Sequence, residues 1–201
     1  LLFGGGRNAS ARVDAYDTSL VRTRATDLSV ARYGLAGAST GNNALFAAGI
    51  GSNPTTSTVD AYNQSLTHTI PTELSQSLKY LAGTKVGNYA LFAGGATYRS
   101  GDVDIVHAYD ASLTMTIITP LSSKSSSHVG VNLEQYAIFS TLGTGKITNA
   151  YDESLTQTIP EPLSDYHDGN AASAAVGDYA LIAGGYDSSY SMDIVDVYMI
   201  G

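Results

Sequence analysis

The residues best suited to metal or acid–base chemistry are four histidines, His68, His107, His128 and His167. A metal site needs three or four converging ligands, and the sequence shows no spacing that groups these side chains. His68 and His107 stand at positions of an internal repeat that other copies fill with varied residues, so we interpret both as outward-facing. His128 and His167 fall in loops, where solvation is the simplest interpretation. The sequence therefore predicts no metal site.

Carboxylates and glycines offer no catalytic set either. Asp17, Asp110 and Asp152 follow tyrosines in predicted turns, where aspartate stabilises the backbone, and Asp60 falls on a predicted exposed strand position. The acidic residues Asp102, Asp104 and Asp187 match no calcium-loop spacing. The chain has no cysteine, which excludes thiolate zinc ligands and a cysteine nucleophile. Its Gly-Gly doublets precede strands rather than helices, so no phosphate loop is predicted. We predict no catalytic residue and no cofactor.

Tyrosine and basic residues in loops form the set best suited to ligand recognition. Tyrosine provides rigid amphipathic contact area, and neighbouring Ser, Asn, Asp and Gly provide adaptable hydrogen bonds. The same mixture suits sugars, whose apolar faces stack on aromatic rings. The competing interpretation is that some of these tyrosines pack inside a β-structure. The candidate ligand-binding residues are Arg32, Tyr33, Lys79, Tyr80, Tyr98, Arg99, Tyr166, His167, Asp168, Tyr186, Asp187 and Tyr190.

These residues belong to a repeated framework marked by the motif Ala-Tyr-Asp-x-Ser-Leu. Its tyrosines are Tyr16, Tyr62, Tyr109 and Tyr151, with a divergent copy at Tyr198, at spacings of 46, 47, 42 and 47 residues. A fixed period of this size indicates a repeat architecture. We expect one domain over 1–201, with repeats at approximately 1–29, 30–75, 76–122, 123–164 and 165–201.

One repeat, at 80–121, predicts four strands and no helix. Strand A is expected at 80–86, strand B at 89–93, strand C at 103–109 and strand D at 113–118, with turn signals between them. The small residues of strand A suit a crowded axis, and the apolar strand B suits burial on both faces. Threonine and proline in strand D suit an outer edge. The whole chain predicts four A, five B, five C and four D strands, with incomplete first and last repeats.

Length variation among the repeats is concentrated in the loop between strands B and C. Variable loops of repeat proteins map to one face, which is often the binding face. Strand direction places the loops between strand D and the next strand A on that same face. We therefore expect recognition at the B–C and D–A loops.

The repeats resemble kelch repeats. The resemblance rests on the entry 32–37, on the doublets 4–5, 94–95 and 184–185, and on the pairs 16–17, 109–110 and 151–152. It implies a β-propeller of about five four-stranded antiparallel blades, as in the Thr/Ser-rich arrays of bacteria and phages. The low charge and the Ser/Thr-rich surface favour an extracellular, cell-surface or phage-particle location. Three departures are the absence of tryptophan, the altered doublets 48–49 and 141–142, and the presence of only Lys79 as a counterpart of Arg32.

The acidic charge of the chain leaves a protein or a glycan as the expected class of partner. The net charge is −8 with no Lys/Arg cluster, which argues against nucleic acid and anionic membranes, and no apolar run is long enough to insert in a membrane. We expect a non-catalytic recognition module. The alternatives are a carbohydrate-active enzyme with two carboxylates in an axial funnel and a structural spacer. The chain starts inside a repeat, as a piece of a longer protein would, and we expect a homo-oligomer if the ring does not close on itself.

Overall fold

The protein is all-β, as predicted. A computed structural model describes residues 1–51, 54–126, 128–142, 145–167, 169–186 and 191–199. These residues contain twenty β-strands and no helix. Accordingly, no helix in the described chain has the length and apolarity needed to cross a membrane. All strand pairs are antiparallel within small sheets.

Five main sheets follow one another along the chain. The first contains β1 (Leu2–Gly4), β2 (Val13–Tyr16) and β3 (Arg22–Arg24). The second contains β4 (Ala36–Thr40), β5 (Asn43–Ala47), β6 (Val59–Asn63) and β7 (His68–Thr69). The third begins with β8 (Ala82–Val86) and β9 (Tyr89–Ala93). A hairpin of β10 (Ala96–Thr97) and β11 (Gly101–Asp102) interrupts it before β12 (Val106–Tyr109) and β13 (Met115–Ile118).

The fourth sheet contains β14 (His128–Leu133), β15 (Tyr136–Thr141), β16 (Thr148–Asp152) and β17 (Gln157–Thr158). The fifth contains β18 (Ala172–Val176), β19 (Tyr179–Ala183) and β20 (Val195–Met199). Every sheet runs in the order A–B–C–D, with no A strand in the first sheet and no D strand in the fifth among the described residues. The predicted strand counts are therefore confirmed.

Several predicted strand boundaries were wrong. Strand β8 starts at Ala82 because Tyr80 has a left-handed backbone with φ 56°, which β-structure excludes. Strand β12 starts at Val106 rather than at residue 103, since the hairpin β10–β11 occupies part of the B–C loop. Strands β7 and β17 contain only two residues each, and a proline follows both at Pro71 and Pro160. Proline has no N–H to continue the ladder.

Adjacent sheets pack face to face. We call the face toward the next sheet the forward face and the face toward the preceding sheet the backward face. Between the second and third sheets, the forward face carries Ala36, Leu45, Ala47, Val59 and Ala61. The backward face that meets it carries Ala90, Phe92 and Tyr109. Strand B lies at the centre of both contacts, which explains its nearly continuous apolar sequence.

The repeated tyrosine ties each sheet to the preceding repeat. Its ring packs in the interface between sheets, and its hydroxyl donates a hydrogen bond of 2.7–2.9 Å to a main-chain carbonyl. The donor–acceptor pairs are Tyr62–Thr26, Tyr109–Thr72, Tyr151–Thr119 and Tyr198–Glu161. The motif therefore recurs because it joins neighbouring repeats.

The Asp-x-Ser-Leu part of the motif forms the turn between strands C and D. In the fourth sheet, Asp152 Oδ1 accepts hydrogen bonds from the N–H groups of Ser154 and Thr156, each at 2.9 Å. The Ser154 hydroxyl also donates to this oxygen, and these bonds lower the pKa of Asp152. Leu155 has a left-handed φ of 63°. Corresponding bonds at Asp17, Asn63 and Asp110 confirm the turn interpretation.

The A strands lie next to one another, β4 beside β8, β8 beside β14, and β14 beside β18. Glycine is required where their backbones approach. A Cβ on Gly83 would lie 2.5 Å from the carbonyl oxygen of Gly37, and one on Gly130 would lie 3.0 Å from that of Gly83. In β18 the corresponding residue is Ser173, whose hydroxyl donates to the Gly130 carbonyl at 3.1 Å. Close approach of the A strands thus explains their small residues.

Candidate recognition surface

The described parts of the B–C and D–A loops lie along one edge of the molecule, which we call the loop edge. Tyr33 in a D–A loop exchanges main-chain hydrogen bonds of 3.0 and 2.7 Å with Ile50 in a B–C loop. Lys79 and Ala96 make the same exchange at 2.9 and 2.8 Å. The two loop types therefore support each other's backbone at these positions.

Three exposed tyrosines of the loop edge each lie beside a cation. The Lys79 Nζ atom is 5.4 Å from the ring centroid of Tyr80. The Arg99 guanidinium is 5.8 Å from the centroid of Tyr98, and Lys146 Nζ is 4.4 Å from that of Tyr166. Tyr33 and Tyr186 are also exposed on this edge. The structure thus brings most of the predicted tyrosines to one surface and adds a charged partner to three of them.

Sequence reasoning missed Lys146 and Asp165. Lys146 Nζ lies 3.2 Å from Asp165 Oδ1 and donates to the Ser164 carbonyl at 3.2 Å, so it is held over the Tyr166 ring. The Tyr166 N–H and then Lys146 lower the pKa of the Asp165 carboxyl. Lys146 lies in the B–C loop of the fourth repeat. Because recognition was predicted at the B–C loops, this position could have identified Lys146 as a candidate.

Arg32 and His167 were predicted among the ligand-binding residues, but both are fully buried. Arg32 lies 2.6 Å from the buried carboxylate of Asp60 and donates to the Val30 and Phe46 carbonyls, each at 3.0 Å. His167 Nε2 lies 2.8 Å from Asp196 Oδ2, and its Nδ1 lies 2.6 Å from the Gly184 carbonyl oxygen. The Arg32 side chain ties its loop to the second sheet, the His167 side chain ties its loop to the fifth sheet, and neither reaches the surface.

The partners of these two residues belong to a buried polar position in strand C. At this position the side chain accepts a hydrogen bond of 2.9–3.2 Å from the N–H of a serine in the preceding repeat. The acceptor–donor pairs are Asp60–Ser29, His107–Ser75, Asn149–Ser122 and Asp196–Ser164. The interpretation of Asp60 and His107 as outward-facing was wrong, because a neighbouring repeat covers this face of the strand.

Burial sets the protonation of these groups. Burial would raise the pKa of Asp60, but hydrogen bonds from Ser29, His68 and Arg32 outweigh it and lower that pKa. Burial lowers the pKa of His107 to about 4. A neutral His107 is also what the geometry requires, because its Nε2 accepts the Ser75 N–H. The position therefore holds a hydrogen-bond acceptor in each of these sheets.

The repeat register also shows that the predicted counterpart of Arg32, Lys79, was wrong. Lys79 corresponds to Tyr33, since each pairs with the start of a B–C loop. The true counterparts lie four residues after the repeated leucine of each copy, at Leu78, Ser125 and His167. A basic residue, Arg32 or His167, occurs where strand C carries an aspartate, and a neutral residue occurs where it carries His107 or Asn149.

Among the residues that the structure describes, the remaining candidates do not form a metal site. Burial lowers the pKa of His128 to about 4, and His68 Nε2 lies 2.6 Å from Asp60 Oδ1. The described part of the chain has no group of three His, Cys, Asp or Glu residues that could bind a metal. Asp168, Asp187 and Tyr190 lie outside the described residues.

A cleft of about 1100 Å³ lies at the opposite edge, where the A–B and C–D turns meet. It opens beside β1, on the side where the first sheet has no A strand, and its walls include Leu1, Ala38, Asn42 and Lys85. This concavity is away from the predicted loops. No protein-family model matches the sequence, and no curated protein is significantly similar to it.

Proposed function

We propose that the protein is a non-catalytic recognition module, built as a kelch-like propeller, that binds a protein or a glycan through its loop edge. The observation that carries this proposal is the set of three exposed tyrosine rings with adjacent cations, at Tyr80, Tyr98 and Tyr166. Exposed aromatic rings on a hydrogen-bonded loop framework are suited to recognition, because little conformational entropy is lost when a ligand binds.

The chemistry of the pairs defines a suitable ligand. A tyrosine ring can stack on a sugar face or on an apolar side chain, and the neighbouring ammonium or guanidinium can bind a carboxylate or a carbonyl oxygen. Lys79, Arg99 and Lys146 place such a donor 4.4–5.8 Å from a ring centroid. A ligand that alternates apolar faces with acidic or carbonyl oxygens fits this pattern best.

The order of the sheets supports the propeller. The A strands are mutual neighbours in chain order, and glycine backbones approach closely along β4, β8 and β14. The D strands lie at the opposite side of each sheet and are short. This arrangement agrees with blades that converge on an axis through their A strands.

The alternative of a carbohydrate-active enzyme has less support. It needs two carboxylates converging in the axial funnel. The four A strands, which would line that funnel, contain no Asp or Glu. Asp60 and Asp196 are engaged with the neighbouring side chains Arg32 and His167. The structural spacer is less favoured because it gives no reason for exposed tyrosine–cation pairs.

Glycan-array binding and pull-down with the 201-residue chain test the proposal. Tyr98→Ala and Tyr166→Ala should each weaken the binding found by about tenfold or more, because an aromatic hot spot contributes about 1.4 kcal/mol or more. Lys85→Ala is the control, since Lys85 is exposed at the cleft on the opposite edge, where the A–B and C–D turns meet. Loss of binding in this control with none in the tyrosine variants would assign recognition to the cleft. Blank results in both assays would argue against recognition altogether.

A further inference from the structure

The forward face of the fifth sheet is apolar and uncovered. The strand register places nine side chains on this face, and none of them is polar apart from the hydroxyl of Tyr179. They are Ala172, Ala174, Val176, Tyr179, Leu181, Ala183, Val195, Val197 and Met199. Val176, Val195, Val197 and Met199 are each more than half exposed. An apolar face of this kind marks an interaction site.

The same face is buried in the interior sheets. Val195 is 52% exposed, whereas its equivalents Val59 and Val106 are 0% exposed beneath the following sheet. Val176 is 66% exposed and its equivalent Val86 is 0% exposed. The fifth sheet therefore presents the same kind of surface that other sheets use to bind a neighbouring repeat.

The backward face of the first sheet carries the complementary half of this joint. Phe3 and Tyr16 form an edge-to-face pair with centroids 5.9 Å apart. The equivalent Phe–Tyr pairs of the next three sheets have centroids 6.0–6.2 Å apart, and there the phenylalanine inserts against the preceding sheet. Phe3 is 58% exposed, while Phe92 and Phe139 are 0% exposed. The pair is already formed but has nothing packed on it.

The two uncovered faces also contain most of the strands that an internal joint uses. The first sheet lacks strand A, which at internal joints lies beside the A strand of the preceding sheet. At the joint between the second and third sheets, strands A, B and C of the forward face meet strands B, C and D of the backward face. The fifth sheet has strands A, B and C, and the first sheet has strands B, C and D. Apart from the contact between A strands, each face therefore has the strands needed to bind the other.

From this complementarity we infer that the protein associates head to tail, with the forward face of the fifth sheet of one copy packed on the backward face of the first sheet of a second copy. Both faces are exposed in the described chain, and their complementarity makes a second copy the occupant that fits each of them. The joint would lack the hydrogen bonds that the segment after strand D supplies at internal joints, such as Tyr62 to Thr26. Association is thus weaker than internal packing and depends on concentration. The interface is heterologous, so it closes into a ring or continues as a chain.

Light scattering and sedimentation over a range of concentrations test this inference. The wild-type chain should exceed its monomer mass of 20.9 kDa. Val197→Lys blocks the tail face and Phe3→Lys blocks the head face, so each variant alone should be monomeric. An equimolar mixture of the two variants should form a dimer, because one intact head and one intact tail remain. Both residues are exposed in the single chain, and circular dichroism melts verify that the variants fold.

Ile117→Lys is the matched control, since Ile117 is similarly exposed on strand β13 of the third sheet and lies away from both faces. It should associate as the wild type does. Met199→Lys replaces Val197→Lys if that variant does not fold. A monomeric wild type at all concentrations would overturn the inference, as would undiminished association of the tail variants. If only the tail variants dissociate and Phe3→Lys does not, the contact joins two tail faces and the head-to-tail arrangement is wrong.

Discussion

At the residue scale, the buried pair of Arg32 and Asp60 shows how a D–A loop is anchored to the sheet that follows it, while the Arg32 backbone bonds to the B–C loop of the preceding sheet. Both side chains are inaccessible to solvent, so their charges are unscreened and each depends on the other. In the third and fourth repeats the corresponding D–A residues are Leu78 and Ser125, which are neutral. The fold therefore accepts either a charged or a neutral combination at this joint, provided that the two members match.

Replacing only one residue of the Arg32–Asp60 pair should lower the free energy of unfolding more than replacing both. Asp60→Asn leaves Arg32 buried without a counter-charge and should cost about 3–5 kcal/mol of unfolding free energy. The double variant Arg32→Leu with Asp60→Asn reproduces residue types that other repeats use at these positions, and should recover most of that loss. Urea unfolding of both single variants and the double variant measures the coupling. Additive losses would show that the two residues act independently.

His107 should make stability depend on pH. Its pKa in the folded protein is about 4, below the 6.5 of the unfolded chain, so the unfolded state binds a proton first as the pH falls. Stability is therefore lost between pH 6.5 and 4, by about 2–3 kcal/mol at pH 4.5. His107→Asn should remove the part of the loss that His107 causes, because Asn149 makes the same hydrogen bond in the fourth sheet. His128, whose pKa burial also lowers to about 4, keeps its own part. Unfolding free energies at pH 7 and 4.5 check the expectation, and an unchanged pH dependence would contradict it.

Sequence reasoning succeeded for residues with local roles and failed for residues that contact the neighbouring repeat. The aspartates of the C–D turns bond to backbone groups two and four residues later, so local sequence predicts them. Asp60 and His107 were misplaced because polar residues in a strand ordinarily face water. Here the face is covered by a segment about thirty residues away, whose serine N–H needs an acceptor. A single strand carries no signal for that contact.

At the element scale, the A strands should tolerate added volume very unevenly. A Cβ on Gly83 would lie 2.5 Å from the Gly37 carbonyl oxygen, so Gly83→Ala should cost about 1–3 kcal/mol through displacement of the strands. Gly37→Ala is the control, because its Cβ would meet the Phe46 ring at an ordinary 3.6 Å. It should be neutral, or stabilising by up to about 1 kcal/mol through the unfolded chain. Equal effects of the two substitutions in thermal melts would contradict the close approach of β4 and β8.

Element type was predictable, and element length was less so. The apolar B strands and small-residue A strands have compositions that follow from their position in the sheet, and both were identified. The D strands were expected to be longer than β7 and β17, which stop short because Pro71 and Pro160 lie just beyond them. The hairpin β10–β11 was missed because two-residue strands have no measurable alternation.

At the scale of the whole molecule, the protection of backbone amides from hydrogen exchange should decline toward the fifth sheet. An interior sheet is covered on both faces, whereas β18, β19 and β20 are covered on one face only. In repeat arrays stability comes from each repeat and its contacts with neighbours, so a sheet with one contact opens more easily. Hydrogen exchange on dilute protein should show faster exchange in β19 than in β9 or β15. Equal protection in all three strands would mean that the array opens as one unit.

The repeat period and strand order at this scale followed from the sequence, since the motif returns every 42–47 residues. The uncovered state of the first and fifth sheets did not follow, because it depends on whether the two sheets meet. That is a property of curvature summed over all the joints, and no local pattern encodes it. The tyrosine–cation pairs of the loop edge were half predictable: Arg99 adjoins Tyr98 in sequence, whereas Lys146 reaches Tyr166 only through folding.

The matched residues at successive joints distinguish one joint from another. A chain made of similar repeats risks assembling in the wrong order, because any forward face resembles the proper partner of any backward face. The combinations Arg32 with Asp60, Leu78 with His107, Ser125 with Asn149 and His167 with Asp196 differ from joint to joint. Packing the third sheet against the loop that carries Arg32 would set Arg32 beside His107, and packing the second sheet against the loop that carries Leu78 would set Leu78 beside Asp60, which leaves a buried charge without its partner. Divergence at these two positions thus separates the joints that hold a basic residue beside an aspartate from the joints that hold neutral residues.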